Sequence, residues 1–173
     1  ADYDVKVTIP NHYKIFAGKY SKFKNSSGKA QYEFEQKGIK DFTFVIADDI
    51  LLKERTYVAV DSSTIEINLA VQPEHEKYFD RYFEAITNSI NWLVENVGTF
   101  PSKSVTLVDL PKSGDFGTHS YNNLFTISTD LFLPDDNFKL EQHIAHKLAM
   151  QFFYQSINSD ALKSAWLSEG ISE

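Results

Sequence analysis

The sequence predicts a mixed α+β fold with strands first and helices later. Three observations predict it. Short runs that alternate polar and apolar residues, such as Tyr3 to Ile9 and Gln31 to Glu35, crowd the first part of the chain. A long helical pattern follows, with Phe79, Tyr82, Phe83, Ile86, Ile90, Leu93, Val94 and Val97 recurring at three- and four-residue steps. The last thirty or so residues read as two helices broken at Ser156-Ile157-Asn158-Ser159. Strands, a long helix, more strands and then two helices suit one predominantly buried sheet covered by helices.

Taken in order, Tyr3 to Ile9 is a half-buried strand that Pro10-Asn11-His12 ends, and Tyr13 to Ala17 is a second, short one. Residues 18–30 hold turn formers and charges and read as a loop. The alternation resumes at Gln31 to Glu35, and Gly38 punctuates. Residues 1–37 are therefore expected to be antiparallel β structure with nothing catalytic in it. Ile39 to Ala47 has apolar residues on both faces toward its end and is expected to be a buried strand. Residues 56–60 and 64–71 flank Asp61-Ser62-Ser63 as a hairpin. Pro73 opens the long helix, which Gly98 closes after Val97. Ser104 to Asp109 and Leu124 to Ser128 are strands by their β-branched content. Leu133-Pro134-Asp135-Asp136 is a helix entry, with acids where the positive end of the helix dipole favours them, and that helix runs from about Phe138 to Gln155.

Composition narrows the function. An apolar fraction of 42%, with 14 Phe and 9 Tyr, marks a globular chain able to build a core. Without cysteine there are no disulfides, thiolate metal sites or Cys nucleophiles. The net charge of −7 is spread along the chain. Lys19, Lys22, Lys24 and Lys29 cluster among Ser and Gly as a solvated loop, so no nucleic-acid partner is expected. No apolar run reaches the roughly 18 residues of a membrane span, and ADYDVKV is no signal peptide. His12 and His75 read as surface residues.

The C-terminal helices carry the candidate chemistry. Zinc peptidases place two His at i and i+4 on one helix, so that both imidazoles face the metal, with a Glu after the first as general base. Here His146-Lys147-Leu148-Ala149-Met150 stands in that position. Eighteen residues lie between Met150 and Glu169, which sits within Trp166-Leu167-Ser168-Glu169-Gly170. Ile39 to Ala47, Asn91 to Pro111 and Gly117 to Leu124 fit the same pattern in the same order. Together they resemble the gluzincin zinc aminopeptidases, the alanyl aminopeptidase-like family, over essentially the whole chain. The resemblance implies that residues 1–37 are the end of an all-β N-terminal domain and that residues 38–173 are the first half of a thermolysin-like domain. It also implies that the chain starts within one domain and stops soon after the third metal position.

The departures from that family pattern bear directly on activity. Lys147 replaces the general base. Met150 replaces the second His, and a thioether is a poor partner for zinc. Ser120 replaces the Glu that would grip a substrate's amino terminus. His146 and Glu169 are what is left of the zinc triad. His143, at i and i+3 with His146, is a substitute ligand, and His119 is a further one. Without the metal, Lys147 is expected to pair with Glu169. The expectation is a catalytically inactive, aminopeptidase-like protein that needs no cofactor and whose cleft takes a peptide or protein ligand. The alternative is an active zinc-dependent aminopeptidase with a rearranged site. A chain ending at Glu173 is also expected to expose Trp166, Leu167 and Ile171 and to self-associate through them.

Overall fold

The computed structural model describes residues 1–17, 20–112, 119–122, 124–130, 132–134, 136–156 and 170. Nine strands and two α-helices occupy them: β1 Tyr3–Pro10, β2 Lys14–Phe16, β3 Lys22–Ser26, β4 Lys29–Gln36, β5 Val45–Ala47, β6 Leu51–Val58, β7 Thr64–Val71, α1 Phe79–Asn96, β8 Ser104–Asp109, β9 Leu124–Ile127 and α2 Lys139–Ser156. The α+β class expected from the sequence is the observed one.

Three sheets form. The first, in the order β1-β4-β3, is antiparallel. A two-stranded ribbon pairs β2 with β5. The main sheet has the order β6-β7-β8-β9, with β6 antiparallel to β7 and the next two pairings parallel. Helix α1 makes the crossover from β7 to β8, because parallel neighbours cannot be joined by a tight turn.

The inner face of the main sheet carries Ile65, Ile67, Leu69, Val105, Leu107, Phe125 and Ile127. Tyr82, Ile86, Ile90 and Leu93 of α1 pack on it, with Leu140, Ile144, Leu148 and Phe152 of α2. Each such fully buried side chain contributes about 1.5–3 kcal/mol relative to exposure. Arg81 of α1 ties the helices together. Its Nε and Nη2 donate to Glu141 at 2.5 and 3.0 Å, and its Nη1 donates to the Pro134 carbonyl at 3.2 Å.

Three local expectations need correction. Residues 18–30 are not all loop: β3 pairs with β4, and Ser27 and Gly28 close the hairpin with φ of 50° and 78°. Positive φ at both central positions matches the right-handed twist of the flanking strands. All five β3 residues are exposed, so no alternation announces the strand. Residues 39–47 are not a buried strand. Only Val45–Ala47 pairs, and Phe44 and Ile46 are exposed, because the ribbon covers one side alone. The long helix does not begin as an α-helix: Pro73–Tyr78 is a 3₁₀ turn.

That turn also corrects His75, which is buried. Its Nδ1 lies 2.5 Å from Oδ2 of Asp109, at the end of β8. Oδ1 of the same carboxylate accepts the Thr129 amide at 3.2 Å, and the Tyr82 hydroxyl donates to Thr129 Oγ1 at 2.7 Å. A 3₁₀ path, tighter than an α-turn, carries His75 inward to this carboxylate. His12 is exposed, as expected.

Candidate active site frame on α2

Helix α2 has two working faces. Leu140, Ile144, Leu148 and Phe152 recur every fourth residue and are buried in the core. Beside that stripe run Lys147, Gln151 and Gln155, also four residues apart and therefore one above another on the helix surface. They meet residues 120–122, which lie along the free edge of β9. Ser120 bridges Phe125 in antiparallel fashion. The Thr126 amide donates to the His119 carbonyl, and the Tyr121 amide to the Leu124 carbonyl, each at 2.8 Å.

The contacts between the two segments form a ladder. Ser120 Oγ donates to the Lys147 carbonyl at 2.9 Å. Gln151 Nε2 donates to the Tyr121 carbonyl at 2.8 Å, and Gln155 Nε2 donates to the Asn122 carbonyl. Three helix positions one turn apart thus meet three consecutive residues of the edge segment. Gln151 is 1% exposed, so its amide has no water to fall back on.

Tyr154 anchors the far end of the ladder. Its hydroxyl donates to Asp41 Oδ2 at 3.1 Å, and Asp41 Oδ1 accepts the Asn122 amide at 3.4 Å. Lys40 Nζ donates to the Tyr154 carbonyl and lies 4.3 Å from the Tyr154 ring centroid. Burial pushes the Tyr154 phenol up to about 12, and the Asp41 carboxylate adds to the shift.

The residues singled out from the sequence fall on this frame unevenly. His146 and Met150 are both half-buried, and Lys147 Nζ approaches Met150 Sδ at 3.8 Å. Ser120 sits against α2 through its bond to Lys147. His143 is exposed on α2, and His119 is exposed, its ring 6.0 Å from that of Tyr121. Glu169, Trp166, Leu167 and Ile171 lie outside the described residues, and with them the expected Lys147–Glu169 pair and the expected exposed apolar surface. Among the described residues, no three His, Asp or Glu side chains converge as a metal-binding group. No helix among them is long and apolar enough to cross a membrane. The ladder residues Gln151, Gln155, Tyr154 and Asp41 escaped the sequence reading. A polar row at four-residue spacing beside an apolar stripe was their available signal.

The sequence matches no protein-family model and no curated protein. Its fold does match solved structures. These include the crystal structure of the M1 zinc metallopeptidase from Deinococcus radiodurans, with a TM-score of 0.72, and that of a mutant of the same enzyme, with a TM-score of 0.73. Each is 18% identical to this sequence and is matched over 99% of this chain. This chain spans 38% of the length of those proteins.

Proposed function

We propose that this chain is part of an aminopeptidase-like protein related to the zinc metallopeptidases, and that it binds a peptide or protein ligand without hydrolysing it. The observation that carries the reading is the Lys147–Met150 contact on α2, with nitrogen and sulfur 3.8 Å apart. These two residues stand where the resemblance expects a general base and a second imidazole ligand. Zinc needs deprotonated nitrogen, oxygen or thiolate donors, and a catalytic site uses three of them plus water. An ammonium beside a thioether offers neither the charge nor the donor set. The residues present do not fit the metal, and no catalytic step is derived through it.

Ser120 supports the same reading. A hydroxyl tied to the Lys147 carbonyl replaces the carboxylate that would hold a substrate's amino terminus, so amine recognition has lost its charge. Conversely, the fold likeness and the spacing from His146 to Glu169 support descent from a metallopeptidase frame. In this reading the Lys147 ammonium takes the metal's place as the positive charge facing Glu169.

Metal analysis of the full-length protein, with turnover of aminoacyl-anilides and fluorescence-anisotropy titration of unblocked peptides, tests the proposal. The expected result is no stoichiometric zinc, no turnover and saturable peptide binding. Bound zinc with turnover that a chelator abolishes would overturn the loss of catalysis. Absence of saturable binding would remove the binding role.

A further inference from the structure

A cleft of about 620 Å³ opens where the chain leaves β4 and passes the start of β8. Residues 35–40 form one wall and residues 101–104 another. Both walls are fixed. Gly38 turns the chain with φ of 69°, and its amide donates to Asp2 Oδ1 at 2.9 Å. The Glu66 amide of β7 donates to the Lys103 carbonyl at 2.9 Å, which holds that residue at the entrance to β8. Asn122 and Gln155 complete the lining. Gln155 lies two turns of α2 beyond Lys147, about 12 Å along the axis, so the cleft lies apart from the Lys147–Met150 contact.

Two features give this cleft a chemistry of its own. The first is charge. Lys37, Lys40 and Lys103 line it against the carboxylate of Glu35, in a chain whose net charge is −7. Lys40 is committed to the Tyr154 carbonyl. Lys37 and Lys103 are exposed, and their ammonium groups form no ion pair or hydrogen bond among the described residues. The second feature is Asn122, which is 6% exposed. Its backbone is held on both sides, the amide by Asp41 and the carbonyl by Gln155. Its side-chain carboxamide has no hydrogen-bond partner among the described residues, where a buried polar group normally has one. The carboxamide oxygen and nitrogen are not sealed from the surface, and the cleft is the opening beside them.

Two ammonium groups and a carboxamide N–H₂ are donors, and the charge of the pair suits a doubly charged anion. At neutral pH a phosphate ester carries about −1.5 to −2 and three strong acceptor oxygens, more charge than one carboxylate supplies. We infer that this cleft binds the phosphate group of a phosphorylated ligand. Lys37 and Lys103 supply the charge, and Asn122 supplies the directed donor. Glu35, the acceptor on the same wall, suits a hydroxyl of the ligand. The source is either a small phosphate ester or a phosphorylated side chain of a peptide. The site does not depend on the proposed loss of catalysis on α2.

Isothermal titration of the full chain with glycerol 3-phosphate, and separately with N-acetyl-alanyl-phosphoseryl-alanine amide, tests it, and the tighter ligand identifies the source. At least one is expected to bind once per chain with a dissociation constant below about 1 mM. The double variant Lys37→Gln/Lys103→Gln should weaken that binding at least about tenfold. The control Lys24→Gln/Lys29→Gln removes the same charge from exposed positions of the β3–β4 hairpin and should leave binding unchanged. Asn122→Asp sets a carboxylate against the phosphate and should abolish binding. If that variant does not fold by circular dichroism, Lys103→Glu on the exposed wall is read in its place, with the same loss expected. Failure of both ligands overturns the inference. Equal weakening by both double variants overturns it too, because attraction to positive charge alone would then suffice. Unchanged binding by the charge-introducing variant overturns the site.

Discussion

Ser120 and Lys147 are joined by a 2.9 Å hydrogen bond from a side-chain hydroxyl to a helix carbonyl, across 27 positions of sequence. It is the first rung of the ladder that fixes the edge segment 119–122 to α2. Ser120→Ala removes one neutral hydrogen bond at a half-buried site and should cost about 0.5–1.5 kcal/mol in urea unfolding. Gln151→Ala should cost more, about 2–3 kcal/mol, because it leaves the Tyr121 carbonyl without its donor and opens a gap at a buried position. Equal effects would mean that Gln151 is not the main fastening.

The Arg81–Glu141 pair should make stability depend on acidity. Burial alone would raise the Glu141 carboxyl, but the hydrogen bond and charge of Arg81 outweigh it and hold the group below the usual carboxylate range. A lowered folded-state pKa gives stability that is present above the unfolded value and is lost as pH falls through the folded one. Wild-type melting temperature should therefore fall more steeply below about pH 4.5 than that of Glu141→Gln. Parallel curves for the two proteins would remove this pair as the source.

His75→Ala should be among the more damaging single changes, costing about 3 kcal/mol or more in unfolding free energy. It leaves the Asp109 carboxylate at 1% exposure with, among the described residues, only the Thr129 amide as hydrogen-bond partner. Asp109→Asn keeps the shape and removes the charge, and should cost less. Chemical denaturation of the two variants distinguishes them, and the reverse order would show that the carboxylate tolerates isolation.

Reinstating metal donors should be measurable on α2. Lys147→Glu/Met150→His creates an i, i+4 imidazole pair with His146 and removes the ammonium. Zinc affinity, followed by titration against a chromophoric chelator, should appear in this variant at micromolar or tighter strength and be absent from the wild type. Tight zinc binding by the wild type would contradict the role proposed for Lys147 and Met150.

The parts of the fold visible in the sequence are those where burial is one-sided. β1 alternates, α1 shows an apolar stripe, and β7 and β8 are runs rich in Val, Ile and Leu, because each packs against something along its whole length. β3 is invisible for the opposite reason: fully exposed, it exists through pairing with β4. The 3₁₀ turn at Pro73 was masked by His75, whose partner Asp109 lies 34 positions away, and no local spacing reports such a pairing. At the candidate site the substitutions Lys147, Met150 and Ser120 were legible as residues. Their contacts were not, because the ladder joins segments that only the tertiary fold brings together.

The two margins of the main sheet have a consequence for association. At the β9 margin, residues 119–121 already occupy the open hydrogen-bonding groups. At the β6 margin, Lys53, Glu54 and Arg55 stand in succession, and all three are exposed. A foreign strand laid along β6 would have to bring its own side chains against that alternating charge, which is how natural sheets discourage growth by strand addition. Among the described residues, the main sheet therefore presents no bare, uncharged margin to a second strand.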